Sequence, residues 1–107
     1  MEARPRTLRF YQTVAGTYPF RDWLEKYDRQ QAGGIFQARL RRVENGNLGN
    51  CRSVGDGVLE LKIDFGPGYR IYFGLDGDRV ILLWGGTKST RRGDIRTAKQ
   101  YWRDYNA

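Results

Sequence analysis

The chain of 107 residues contains no histidine and a single cysteine, Cys51. The missing imidazole excludes a histidine acid–base pair and a zinc site built on histidine. A lone cysteine can form neither an intramolecular disulfide nor a thiolate metal cluster. The N-terminus lacks the apolar segment of a signal peptide, and the longest apolar run, residues 80–84, is far below the roughly 20 residues of a membrane span. These absences predict a protein of a reduced intracellular compartment.

Acidic residues are in the minority, because 12 Asp and Glu stand against 19 Lys and Arg, which gives a net charge of +7. A charge of this size indicates an anionic partner such as nucleic acid, an acidic protein or a membrane surface. A basic protein without such a partner stays open as the alternative. Hydrophobic residues make up 39% of the chain, which is enough for the core of one domain spanning residues 1–107.

The first half of the chain predicts one strand and two helices. Residues 6–13 alternate between apolar and polar side chains, as in a strand. Pro19 fits the first turn of a helix, and apolar residues at helical spacing extend this helix over residues 19–31. A joint at residues 32–34 separates it from a second helix over residues 35–44. Together the two helices predict a helical hairpin.

The second half predicts a strand meander followed by a helix. The predicted strands cover residues 58–64, 69–75 and 79–85. Asp76-Gly77 is a strong tight-turn signal between the second and third of them. The third strand contains the stretch VILLW, which is apolar on both faces and therefore predicts the central strand. A terminal helix begins near Ser89 or Thr90, either of which can cap it.

The order β-α-α-β-β-β-α predicts an α+β fold with a small, antiparallel-rich sheet. The helical hairpin buries its apolar stripes against one sheet face, which leaves the other face partly open. Because strand side chains repeat every second residue, a simple register places four polar side chains on the open face. They are Glu60, Lys62, Arg70 and Tyr72. The structural alternative is a cross-strand Glu60–Arg70 pair that stabilises the sheet by only ~0.2–1 kcal/mol.

Two segments carry a family resemblance: GDGVLELKIDFGPGYRIYF and VILLWGGTKSTRRGDIRTAKQYW. They resemble the RelE/ParE superfamily of toxins from bacterial type II toxin–antitoxin modules, and more closely its HigB-like addiction module killer branch. The resemblance covers nearly the whole chain and implies a RelE-like fold. RelE- and HigB-like members cut mRNA, usually on the ribosome, whereas ParE-like members poison DNA gyrase without cutting RNA. It therefore implies a ribosome-dependent mRNA endonuclease, with a gyrase inhibitor as the alternative.

The resemblance implies catalytic roles for the hairpin side chains. Arg70 matches the family's hairpin arginine and would hold the scissile phosphate with its guanidinium fork. Lys62 matches a basic strand position and would stabilise charge or act as the acid. Glu60 stands where RelE has a further lysine, which makes it a candidate general base. No metal and no organic cofactor is implied.

Further basic groups predict contacts with RNA. The start of the terminal helix carries Lys88, Arg91 and Arg92. Backbone N–H groups at a helix N-terminus, reinforced by such cations, favour an RNA backbone. Tyr72 is a candidate to stack on a base, although packing is the commoner role of a strand tyrosine. A third group on the second helix is a solvated face or an auxiliary contact to ribosomal RNA, and it comprises Arg39, Arg41 and Arg42.

The resemblance also implies partners. A cognate antitoxin, HigA-like and with a helix-turn-helix DNA-binding domain, would cover the basic face. The chain would contact operator DNA only through this complex. Ribosome and mRNA would be its targets in the cytoplasm, and no membrane is involved. A non-enzymatic, basic nucleic-acid-binding module stays open as a further alternative.

Overall fold

The computed structural model describes residues 4–27 and 30–107, and these residues form an α+β fold with five strands and three helices. In chain order the elements are β1 (Thr7–Phe10), α1 (Pro19–Glu25), α2 (Gln31–Glu44), β2 (Cys51–Gly55), β3 (Val58–Ile63), β4 (Tyr69–Asp76), β5 (Arg79–Thr87) and α3 (Arg91–Asn106). A short 3₁₀ turn, Lys88–Thr90, leads into α3. Within the described ranges, each helix is too short or too polar to cross a membrane.

The five strands form one mixed sheet in the order β1-β5-β4-β3-β2. β1 pairs with β5 in parallel, and the other neighbours are antiparallel. The predicted meander of three strands is therefore confirmed. Its VILLW strand, β5, is buried on both faces as predicted, but β4 is the central strand. The reason is that β2, which was not predicted, adds a strand beyond β3.

The helices α1 and α2 pack on one sheet face, as the sequence predicted. Their buried side chains meet those of the inner strands in one cluster that includes Phe20, Trp23, Phe36, Leu40, Ile71, Phe73 and Leu82. Trp23 stacks on Phe20 and Phe36, with ring centroids 5.7 and 5.3 Å apart. This aromatic layer fixes the two helices to the sheet.

The helix α3 covers the opposite sheet face, which the sequence predicted to be partly open. Its buried Ala98 lies in a second cluster with Tyr72 and Leu83. Gly74 on β4 permits this approach, because a Cβ atom there would meet the indole of Trp102 at 2.5 Å. Glu60, Arg70 and Tyr72 of the β3–β4 hairpin are therefore buried on the face that α3 covers, whereas Lys62 stays half exposed.

Two helix boundaries differ from the prediction. Helix α1 ends at Glu25, well before the expected end at Gln31, and residues 28 and 29 of the predicted helix lie outside the described residues. Residues 32–34 are not a joint, because they belong to the first turns of α2. Ala32 is buried in the core, and such burial outweighs the low helix propensity of the adjacent glycines. The predicted start of the terminal helix is confirmed to within two residues.

Candidate functional site

The register of β3 and β4 places the four predicted hairpin residues on one sheet face. Glu60 lies opposite Tyr72, and Lys62 lies opposite Arg70. The shared face is therefore confirmed. The alternative Glu60–Arg70 pair does not form, because each of the two residues faces a different neighbour across the strands.

Glu60 has no exposed side-chain surface. Arg91 of α3 donates from Nε to Oε2 at 2.8 Å and from Nη2 to Oε1 at 3.2 Å. Arg52 of β2 donates from Nε to Oε1 at 3.1 Å. Burial alone would raise the pKa of the Glu60 carboxyl, but the hydrogen bonds from Arg91 and Arg52 outweigh it and hold this pKa below its usual value. The ionised carboxylate therefore ties both α3 and β2 to β3.

The ion pairs of Glu60 with Arg52 and Arg91 change the interpretation of three residues that were predicted to act in the site. Both oxygens of Glu60 accept hydrogen bonds from arginines, so in this conformation the carboxylate cannot reach a 2′-hydroxyl as a general base. Tyr72 is fully buried and cannot stack on a base. Burial and the negative charge of Glu60 raise the pKa of Tyr72, so its hydroxyl stays protonated. Arg91, a predicted RNA contact, is engaged by Glu60.

Arg70 is 5% exposed and has few partners for its charge. Its Nη1 donates to the Tyr69 carbonyl at 3.1 Å, and its Nε is buried without a hydrogen-bond partner. The ion pairs between residues of the described ranges leave Arg70 out, although they engage Lys62 and Arg91 nearby. A buried guanidinium with unused donors is costly unless an anion binds to it.

Lys62 and Lys88 flank Arg70. Lys62 has a side chain that is 53% exposed, with Nζ 3.7 Å from Oδ1 of Asp64. The backbone N–H of Lys88 donates to the Gly68 carbonyl at 2.7 Å. A Cβ atom at Gly68 would lie 3.4 Å from Nη1 of Arg70 and 3.5 Å from Cβ of Lys88. We call Lys62, Arg70 and Lys88 the cationic cluster, which lies beside the β3–β4 turn.

Asp94 fixes the first turn of α3 above this cluster. Trp84 Nε1 donates to Oδ1 of Asp94 at 2.9 Å, and the Thr90 hydroxyl donates to Oδ2. Gly86 leaves the space for this carboxylate, because a Cβ atom there would overlap it. Arg92, on the same turn, is exposed. Sequence reasoning missed Asp94 as a site residue, although an acidic residue in a first helical turn is a recognisable signal.

Arg52 was also missed, because its strand was not predicted. Cys51 beside it was predicted to take no part in a disulfide or metal cluster. Burial raises the pKa of the Cys51 thiol to about 11, so this thiol stays protonated at neutral pH. The chemistry of the site therefore rests on arginine, lysine and carboxylate groups.

The fold and site together define an α+β protein with a mixed five-stranded sheet and, beside the β3–β4 turn, a cationic cluster in which Arg70 is buried and the two lysines are exposed. No protein-family model and no solved structure matches the chain. An uncharacterized protein of Haemophilus influenzae is 46% identical over 87 residues, which span 80% of this chain and 88% of that protein. The chain belongs to the same family as that Haemophilus protein.

Proposed function

We propose that this protein is the toxin of a type II toxin–antitoxin module, a RelE- and HigB-like endoribonuclease that cuts mRNA on the ribosome and halts translation. The observation that carries this proposal is the buried guanidinium of Arg70, with unused donors, between two lysines. A phosphodiester is an anion whose oxygens fit this fork. The resemblance of the hairpin and terminal-helix segments to the RelE/ParE superfamily supports the same function.

In the proposed reaction the 2′-hydroxyl gives its proton to solvent water as its oxygen attacks the adjacent phosphorus, and the P–O5′ bond breaks to leave a 2′,3′-cyclic phosphate. The 5′-oxygen takes up a proton from Lys62 or from water. Arg70 binds the phosphate and neutralises the charge that develops on its oxygens. Lys62, which is half exposed, protonates the leaving oxygen or adds charge stabilisation. Lys88 binds the backbone at the neighbouring phosphate. Glu60 is a positioning residue, because it holds Arg91 and the start of α3.

Neutralisation by a cognate antitoxin follows from the same surface. A helix-turn-helix protein with acidic side chains would cover the cationic cluster and exclude the phosphate. The complex would contact operator DNA through the antitoxin. Because its proposed target is the translating ribosome, we propose that the protein acts in the cytoplasm.

The test is brief induction of the chain in a bacterial cell, followed by mapping of new mRNA 5′ ends. Wild type is compared with Arg70→Ala, with Arg70→Met, which conserves volume, and with Arg103→Ala, an exposed arginine near the far end of α3. We expect codon-phased cuts with wild type and Arg103→Ala and none with either Arg70 variant. Because Arg70→Met removes an unpartnered buried donor, its unfolding free energy should stay equal or rise by about 1 kcal/mol.

Three other results contradict the proposal. Full cleavage by a folded Arg70→Met variant would show that Arg70 does not bind the scissile phosphate. Growth arrest without new 5′ ends favours a gyrase inhibitor, which a supercoiling assay with purified gyrase checks directly. No growth arrest at all argues against a toxin and for a binding module.

A further inference from the structure

Two cavities adjoin at the β3–β4 turn. The first, of about 320 Å³, lies between α2 and the end of β3. The second, of about 370 Å³, lies against Gly68 and Lys88, next to the cationic cluster. Both are lined by Asp64 and Phe65, so the two cavities are neighbours at this turn. Each volume lies at the lower end of the range for small-molecule sites, which suits a single nucleotide.

The first cavity has the chemistry of a nucleotide site. Arg39 Nη2 donates to the Lys62 carbonyl at 3.2 Å, which holds the guanidinium at the cavity wall with further donors unused. The exposed Asn50 amide offers both a donor and an acceptor to a base edge. Ile35 and Phe65 supply an apolar wall. Cation, amide and aromatic ring together are the groups that bind single-stranded RNA.

We propose that this first cavity, the Arg39–Asn50 subsite, binds the nucleotide next to the scissile phosphate and selects its base. The inference rests on the proposed function and deepens it. The carbonyl of Lys62 faces the subsite, whereas its side chain lies on the opposite sheet face, beside Arg70. A strand bound at Arg70 therefore reaches the subsite by passing round the β3–β4 turn, where Asp64 and Phe65 line both cavities. Phe65 stacks on the base, Asn50 binds its edge, and Arg39 binds its phosphate.

The charge pattern favours a nucleotide over an acidic peptide. The exposed carboxylate of Asp64 is part of the same lining. It repels an acidic side chain, but it accepts a hydrogen bond from the amino group of a base. The guanidinium of Arg39 and the carboxylate of Asp64 therefore match the phosphate and the base of one nucleotide.

The first experiment measures binding of fluorescein-labelled, random-sequence 2′-O-methyl RNA pentanucleotides by anisotropy. Arg39→Ala is compared with Arg41→Ala, which removes the same charge from an exposed position of the same helix. We expect Arg39→Ala to weaken binding by about tenfold or more, as for a charge-assisted contact, and Arg41→Ala by less than about threefold. Equal losses in the two variants overturn the subsite, since they would report only net charge. Thermal unfolding confirms that both variants fold.

The second experiment uses Asn50→Ala, whose truncated side chain is exposed. Mapped 5′ ends should show an altered base frequency at one position beside the cut, together with lower total cleavage, because a contact to the base is lost. Arg103→Ala, far from the subsite, should keep both the wild-type base frequency and the wild-type cleavage. An unchanged base frequency overturns base selection by Asn50. If wild type does not cut RNA, the proposed function fails. If wild type cuts RNA through Arg70 while Arg39→Ala and Asn50→Ala behave like wild type, only this inference fails.

Discussion

At the residue scale, Glu60 and Arg70 are both buried on one sheet face, but they differ in how fully their charged groups are hydrogen-bonded. The carboxylate of Glu60 accepts three hydrogen bonds from Arg52 and Arg91. The guanidinium of Arg70 has one backbone acceptor and a buried Nε without a partner. A satisfied buried charge stabilises local structure, whereas an unsatisfied one lowers stability and suggests a ligand site. Glu60 therefore stabilises the fold, and Arg70 is the residue that we propose binds the ligand.

Replacing Glu60 with glutamine should destabilise the fold in a pH-dependent way. The pKa of Glu60 is lower in the folded chain than its unfolded value of about 4.3. Its contribution is therefore present above that pH and is lost as pH falls through the folded pKa. We expect Glu60→Gln to lower the free energy of unfolding by about 2 kcal/mol at pH 7, because charged hydrogen bonds become neutral. Urea denaturation at pH 7 and pH 3 measures this difference.

The matched control is Glu25→Gln on α1, which removes an exposed carboxylate 3.8 Å from Arg21. Exposed pairs contribute little, so this variant should change stability by less than about 1 kcal/mol at either pH. A Glu60→Gln penalty that is equally large at pH 3 and pH 7 would contradict the assignment of an ionised, hydrogen-bonded carboxylate.

At the element scale, glycines decide how closely the helices approach the sheet. Gly86 and Gly74 on the α3 side, and Gly85 on the α1 side, each lie against a side chain that a Cβ atom would displace. Asp94 lies over Gly86 and fixes the turn that carries Lys88. The close approach of α3 therefore depends on the missing side chains at Gly74 and Gly86 as well as on its hydrogen bonds to the sheet.

Gly86→Ala should push the first turn of α3 away from β5. The backbone of Gly86 and the Asp94 carboxylate are both held by hydrogen bonds, so the clash is not relieved by a free side chain. We expect a loss of about 2 kcal/mol or more in the free energy of unfolding, typical of overpacking. Gly34→Ala is the control, because nothing lies within 4 Å of its Cβ position and helical alanine should raise stability by about 0.5–1 kcal/mol. Equal melting temperatures in the two variants would contradict the argument.

Sequence patterns predicted the elements with strong periodicity and missed those that depend on distant contacts. The β3–β4 hairpin and its shared polar face were predictable, because side chains alternate strictly along both strands. The strand β2 was not, because CRSVG is short and largely exposed, and it becomes a strand only by pairing with β3. The burial of Glu60 and Tyr72 was equally hidden. It depends on where α3 packs on the sheet, and Gly74 on β4 and Gly86 on β5 allow that position.

At the scale of the whole molecule, the net charge of +7 would attract the RNA strand that we propose the cationic cluster binds. Long-range attraction raises the association rate, whereas contacts with individual phosphates set the salt dependence of affinity. These two effects are separable. Removal of a distant cation changes only the association rate, whereas removal of a lysine of the cationic cluster changes both the association rate and the salt dependence of affinity.

The slope of log affinity against log salt concentration should therefore report the number of phosphate contacts that the protein makes with RNA. Four contacts, from Arg39, Lys62, Arg70 and Lys88, give an expected slope of log affinity against log salt of about −3 for single strands, and Lys88→Ala should reduce its magnitude by about 0.7. Arg103→Ala lowers the net charge equally from an exposed position and should leave the slope unchanged. Anisotropy titrations between 50 and 300 mM salt, roughly the range where such slopes are linear, measure all three proteins. The same slope for Lys88→Ala and wild type would exclude Lys88 from the phosphate path, whatever its effect on cleavage.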